Sequence, residues 1–123
     1  IPQDFDFLRR GGRLTSMAAT FASVLNLRAI MTQTPDGCRL DKFGMKRNMK
    51  LALKAVVDYL EKVKVDERHI IYVSHARAEE DANKAIAMLK ERFSGVEIQL
   101  LELGAAFVTQ GGPQCIAIQY IEK

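Results

Sequence analysis

Three arginines stand around two adjacent glycines in Arg9-Arg10-Gly11-Gly12-Arg13, a composition suited to holding an anion. Guanidinium groups donate paired, charge-assisted hydrogen bonds to carboxylates and phosphates, and glycine lets the backbone turn and approach a ligand closely. Immediately afterwards, residues 15–25 form an alanine-rich apolar stretch with no charged residue. A helix uncharged on every face has no wet side, so protein or something greasy must cover it. A helix stop followed by a surface arginine would give the same Gly-Gly-Arg letters, and only the neighbouring elements can separate the two readings.

Other reactive side chains assemble into less. The chain has two histidines; His69 is expected at the surface start of a strand, and His75, after Tyr72-Val73-Ser74, at a strand end. There it serves either as a hydrogen-bonded structural residue or as a helper to a nearby loop. Glu79-Glu80-Asp81 fall at an expected helix N-terminus, where the macrodipole favours acids. Cys38 and Cys115 lie on separate apolar stretches without Cys-x-x-Cys spacing, which reads as two free buried thiols. No nucleophile group, paired-carboxylate site or metal spacing can be built, so neither catalysis by the chain alone nor a cofactor is expected. Gly11-Gly12 follows no strand, which removes the phosphate-loop and dinucleotide fingerprints.

With 123 residues, 48% hydrophobic and 27% charged, the chain is expected to be a single cytoplasmic domain able to bury a core without disulfides or metals. The net charge of +3 hides an asymmetry: residues 1–54 carry ten Lys or Arg against four Asp or Glu, whereas residues 55–123 carry eight against eleven. An anionic ligand or partner belongs with the basic half. Nucleic acid does not fit, because the basic run over residues 46–54 is interrupted by Met49, Leu51 and Leu53 without interleaved aromatics.

Periodicity supplies the elements. A brief helix over residues 5–10 precedes the apolar helix at 15–25. Residues 27–32 and 38–43 flank Thr34-Pro35-Asp36-Gly37, a turn that predicts a hairpin. Met49, Leu53, Val56, Val57 and Leu60 recur at helical spacing within residues 46–63, and Ala82, Ala85, Ile86 and Leu89 do so within 78–93. Residues 69–74, 96–103 and 115–121 read as strands. The expected fold class is α+β: two layers, with a mixed sheet of about five strands covered on one face by two amphipathic helices.

Taken together, Leu8-Arg9-Arg10-Gly11-Gly12-Arg13-Leu14-Thr15, the alanine-rich helix, Leu25-Asn26-Leu27-Arg28-Ala29-Ile30-Met31, the basic run before Ala52-Leu53-Lys54, and Thr109-Gln110-Gly111-Gly112-Pro113 resemble, in that order, the C-terminal domain of the DegV family of bacterial fatty-acid-binding proteins. The resemblance covers nearly the whole chain and implies an absent N-terminal domain, with the fatty acid held between the two. It implies a carrier that presents a long-chain fatty acid to a separate fatty acid kinase for phospholipid synthesis. Arg13, with Gly12, Thr109 and Gln110, would lie at the carboxylate, and Arg47 would face phosphate or the kinase. Two departures stand out: Gln110 where the family usually has histidine, and Gln114 where it usually has glycine.

The residues agree with that implication on physical grounds. A fatty acid needs an apolar pocket and a few polar groups for its head, and each methylene removed from water contributes about 0.8 kcal/mol. Met17, Phe21, Val24, Leu25, Ile30 and Ile116 are the candidate tail wall, some of which plain core packing would equally explain. A second reading makes the basic face a docking module for an acidic or phosphorylated protein, without lipid. Loss of a covering domain would expose apolar surface and favour a homodimer.

Overall fold

The computed structural model describes Ile1, residues 28–104 and residues 114–123. Its elements, in chain order, are β1 (Arg28–Gln33), β2 (Leu40–Lys46), α1 (Met49–Lys62), β3 (His69–His75), α2 (Glu79–Arg92), β4 (Glu97–Glu102) and β5 (Ile116–Glu122). The fold is α+β with five strands, but they form two sheets where one was expected: a β1–β2 hairpin and a mixed sheet in the order β4-β3-β5. β3 pairs parallel with β4 and antiparallel with β5.

The hairpin follows from its turn. Gly37 N–H donates to Thr34 O at 2.8 Å, and Gly37 takes φ 74°, a left-handed conformation open to glycine at little cost. The Asp36 carboxylate accepts from the Cys38 N–H at 3.0 Å. Cys38 therefore belongs to the turn, is exposed and is not the buried thiol expected of it, whereas Cys115 is buried. The register slips between Ile30↔Gly44 and Met31↔Lys42, leaving Phe43 as the extra residue of a bulge. Bulges re-aim side chains, and the Phe43 ring meets Tyr59 of α1 edge-on at 4.9 Å. Because β2 runs to Lys46, α1 starts later than expected, at Asn48, whose side chain accepts from the Leu51 N–H at 2.9 Å.

The core lies between the helices and the β4-β3-β5 sheet. Leu53, Val57 and Leu60 of α1 and Ala82, Ala85 and Leu89 of α2 pack with Ile71, Val73 and Ile116. The two alanines let α2 approach β3 closely, and burial of each larger side chain contributes about 1.5–3 kcal/mol. Arg92, in the last turn of α2, ties the helices together by donating to Asp58 at 2.9 Å and Glu61 at 2.8 Å on α1. β4 buries little of itself: Val96, just before it, and Ile98 reach the core, but Leu100 and Leu101 are exposed on this edge strand.

Candidate functional site

Two polar side chains are buried among the described residues, Ser74 and His75, and both stand at the C-terminal end of β3. The His75 ring, 5% exposed, accepts from the Ala78 N–H through Nδ1 at 3.0 Å. This leaves the proton on Nε2 and satisfies the N–H of Ala78, the residue before α2, whose own side chain makes no cap. The structural role weighed for His75 is therefore what the geometry shows.

The backbone of His75 and of Ala76, which follows it, does something the letters did not announce. His75 O accepts from Leu103 N–H at 2.9 Å, and Ala76 O accepts from Gln114 N–H at 2.6 Å. Both ends of the segment between Leu103 and Gln114 are thus pinned to consecutive residues at the end of one buried strand. Ala76 N–H closes the frame by donating to Cys115 O at 3.1 Å. Arg77 and Gln114, flanking this frame, are non-glycine residues at φ 54° and 63°. Left-handed backbone of this kind costs about 1–3 kcal/mol and persists only where the surroundings over-determine it. The carboxyl ends of strands in a parallel pair are the usual ligand side of an α/β sheet, and here that rim holds Leu103 and Gln114.

Arg13, Gly12, Thr109 and Gln110 of the expected head-group set, and Met17, Phe21, Val24 and Leu25 of the expected tail wall, lie outside the described residues. So do the predicted helices at 5–10 and 15–25. Ile30 is 4% exposed in β1 and Ile116 is 1% exposed in the main core; the structure does not bring these two into one cluster. Ile116 does sit at the rim, opposite His75 in the β3–β5 register.

Arg47 is exposed between the end of β2 and the Asn48 cap. α1 has no acid in its first turn, and Lys46, Arg47, Lys50 and Lys54 lie exposed around that end, Lys54 paired with Asp58 at 3.2 Å. The helix dipole and these cations add to one positive field. Among the described residues no group of three or more His, Cys, Asp or Glu could hold a metal, and no helix is long and apolar enough to cross a membrane.

The family model described as uncharacterised protein, DegV family, matches residues 1–123. The chain belongs to the DegV family. A DegV domain-containing protein of Clostridium perfringens is 28% identical over 117 residues, 94% of this chain and 40% of its own length. The chain therefore spans about two fifths of such relatives. Among solved structures, a DegV protein of Ruminococcus gnavus solved with vaccenic acid is 29% identical with a TM-score of 0.81, covering 98% of this chain and 42% of that one. A fatty acid binding DegV protein of Streptococcus agalactiae matches with a TM-score of 0.88 at 21% identity over 99% of this chain and 43% of that one.

Sequence reasoning missed Ala76 and Leu103, and saw Gln114 only as a departure from the family's glycine; all three contribute to the DegV chain's rim through a backbone bond. A backbone role leaves no side-chain signature; only the buried Ser74-His75 pair at a strand end hinted at the place.

Proposed function

We propose that the chain is the C-terminal part of a longer, two-domain DegV protein and forms one half of a container for a long-chain fatty acid. Arg13, with Gly12, Thr109 and Gln110, holds the carboxylate; Met17, Phe21, Val24 and Leu25 line the acyl chain's side, whereas Ile30 and Ile116 serve core packing. The observation that carries this reading is the double anchorage of the Leu103–Gln114 segment on His75 and Ala76, in a chain whose relatives include structures holding fatty acids. A head-group loop must be held rigidly if it is to orient a flexible ligand. Gln110 donates a hydrogen bond but carries no charge, so the carboxylate rests chiefly on Arg13.

In this reading the protein is a cytoplasmic carrier and not itself an enzyme; it presents the carboxylate to a fatty acid kinase, which performs the chemistry. Arg47, in the positive field at the start of α1, faces that partner. Solvent extraction of the full-length protein, purified from a bacterial host, followed by mass spectrometry, is expected to yield one fatty acid per chain. An acyl-free protein that also takes up none from micelles would end the proposal.

One observation favours a second reading. The basic, acid-free end of α1 suits an acidic or phosphorylated protein partner whether or not lipid binds. Arg47→Glu tests the docking face that both readings use, with lipid content unchanged; the acyl content of the full-length protein separates them, because the second reading needs no lipid.

A further inference from the structure

Among the described residues, three other than glycine take a left-handed backbone: Lys64, Arg77 and Gln114, at φ 64°, 54° and 63°. Lys64 is an ordinary helix stop, with Val65 N–H returning to Leu60 O at 3.0 Å just after α1. Arg77 and Gln114 end no helix. The β3–β5 register runs to His75↔Ile116; beyond it, Ala76 O accepts from Gln114 N–H while Ala76 N–H donates to Cys115 O. Two residues thus face one, which is a bulge. Gln114 is its first residue and stands where glycine is the rule in the left-handed type of bulge.

The two strained residues are neighbours. Arg77 follows Ala76 directly, so only the peptide group between them and the bond from Gln114 N–H to its carbonyl separate the Cα atoms of Arg77 and Gln114. Both residues are exposed, and among the described residues neither side chain has a hydrogen-bond or ion-pair partner. Two of the acids that open α2 are already engaged: Glu80 pairs with Lys84 at 3.3 Å, and Asp81 lies 4.0 Å from the same amine. Glycine would relieve both left-handed positions and keep every backbone bond. Strain retained where glycine would remove it clusters at ligand sites. A guanidinium and a carboxamide side by side offer charged and neutral N–H donors to a single oxyanion.

We propose that Arg77 and Gln114 form an anion-binding pair at the rim, and that the anion is the phosphoryl group of a phosphorylated fatty acid. This rests on the fatty-acid reading for the identity of the cargo and adds its chemical state. A kinase acting on a carboxylate leaves an acyl phosphate, whose terminal group is tetrahedral, more highly charged than the carboxylate and one bond further from the acyl chain. Arg77 grips two of its oxygens through parallel N–H donors, and Gln114 adds a neutral donor to the third. The exposure of both side chains suits a group that keeps part of its hydration. The pair therefore distinguishes the phosphorylated cargo from the free acid, whose carboxylate rests on Arg13.

Paired titrations of the full-length protein with palmitate and with hexadecylphosphonate, a stable phosphoryl mimic on a chain of the same length, test this. Arg77→Gly and Gln114→Gly are each expected to weaken phosphonate binding by about tenfold or more, as loss of a hydrogen bond to a charged group does. Palmitate binding should stay within about twofold. Neither substitution removes a backbone bond, and melting temperatures no lower than wild type are expected, because glycine takes φ above zero freely. Phosphonate affinity that ignores both substitutions overturns the proposal. Equal losses for the two ligands also overturn it, by assigning the pair to the rigidity of the rim. Inorganic phosphate alone, followed through the NMR signals of the Arg77 Nε–H and the Gln114 side-chain amide, keeps the two readings apart. Signals that move in a protein taking up neither chain defeat the fatty-acid reading alone, and unmoved signals in a palmitate-binding protein defeat this one alone.

Discussion

The two helices are the same length, 14 residues each, and begin in opposite ways. α1 has a side-chain cap, Asn48, no acid in its first turn and a cluster of cations. α2 has no cap on Ala78 but three acids, Glu79, Glu80 and Asp81, in its first turn, and borrows the ring of His75 to hold Ala78 N–H. The charges of α2 suit its dipole, so helix stability explains them. Those of α1 oppose it. Cations that cost stability where they stand favour a role outside the helix, which is why a partner is proposed at the start of α1, whereas the charges at the start of α2 serve the fold.

The strongest way to break this comparison is His75→Ala. It removes a buried ring and orphans a buried N–H, so a loss of about 3 kcal/mol is expected in denaturant unfolding; a loss no larger than that of a surface cap would mean the ring holds nothing. Asn48→Ala comes next, at about 1 kcal/mol, because its cap is exposed and water can replace it.

A mirror pair then sharpens the electrostatic contrast. Lys50→Glu places an acid where the α1 dipole favours one and should raise stability by about 0.5 kcal/mol, and Glu80→Lys should lower it by a similar amount. Equal signs in thermal melts would show that the dipole argument does not distinguish these ends.

The smallest expected effect is the pH dependence of the tie between the helices. Hydrogen bonds from Arg92, then Lys54, hold the Asp58 pKa below its ordinary 3.8. Its ionised form therefore favours folding above the unfolded value, and that gain is lost as pH falls through the lower, folded one. The stability difference between the wild type and Asp58→Asn should shrink between about pH 5 and pH 2; a difference that stays constant would place the stabilisation elsewhere.

Much of this was written in local letters. Thr34-Pro35-Asp36-Gly37 announced a hairpin because its residues suit the turn's dihedrals, and Leu53, Val57, Leu60, Ala82, Ala85 and Leu89 announced two core-facing helices because spacing alone puts them on one side. Where reasoning slipped, a competing element had claimed the residue. Lys46 went to β2, which delayed α1, and Cys38 went to the turn, which exposed it. Val96, Ile98 and Leu100 alternate with Glu97 and Gln99 as a half-buried strand should, but β4 is an edge strand that meets the core only near its start, and Leu100 and Leu101 stay exposed. Of the candidate site, the family likeness and the charge of Arg47's surroundings were legible, and the anchoring of the Leu103–Gln114 segment was not.

The order and type of the described elements, the basic first half and the membership of the DegV family were determined by the sequence alone, because each depends on side chains a few positions apart or on motifs read in a row. The division of five strands into two sheets and the gathering of Leu103, Gln114 and Cys115 onto His75 and Ala76 were decided only by the tertiary structure. Backbone hydrogen bonds between distant residues make those choices, and every residue but proline carries the same donor and acceptor.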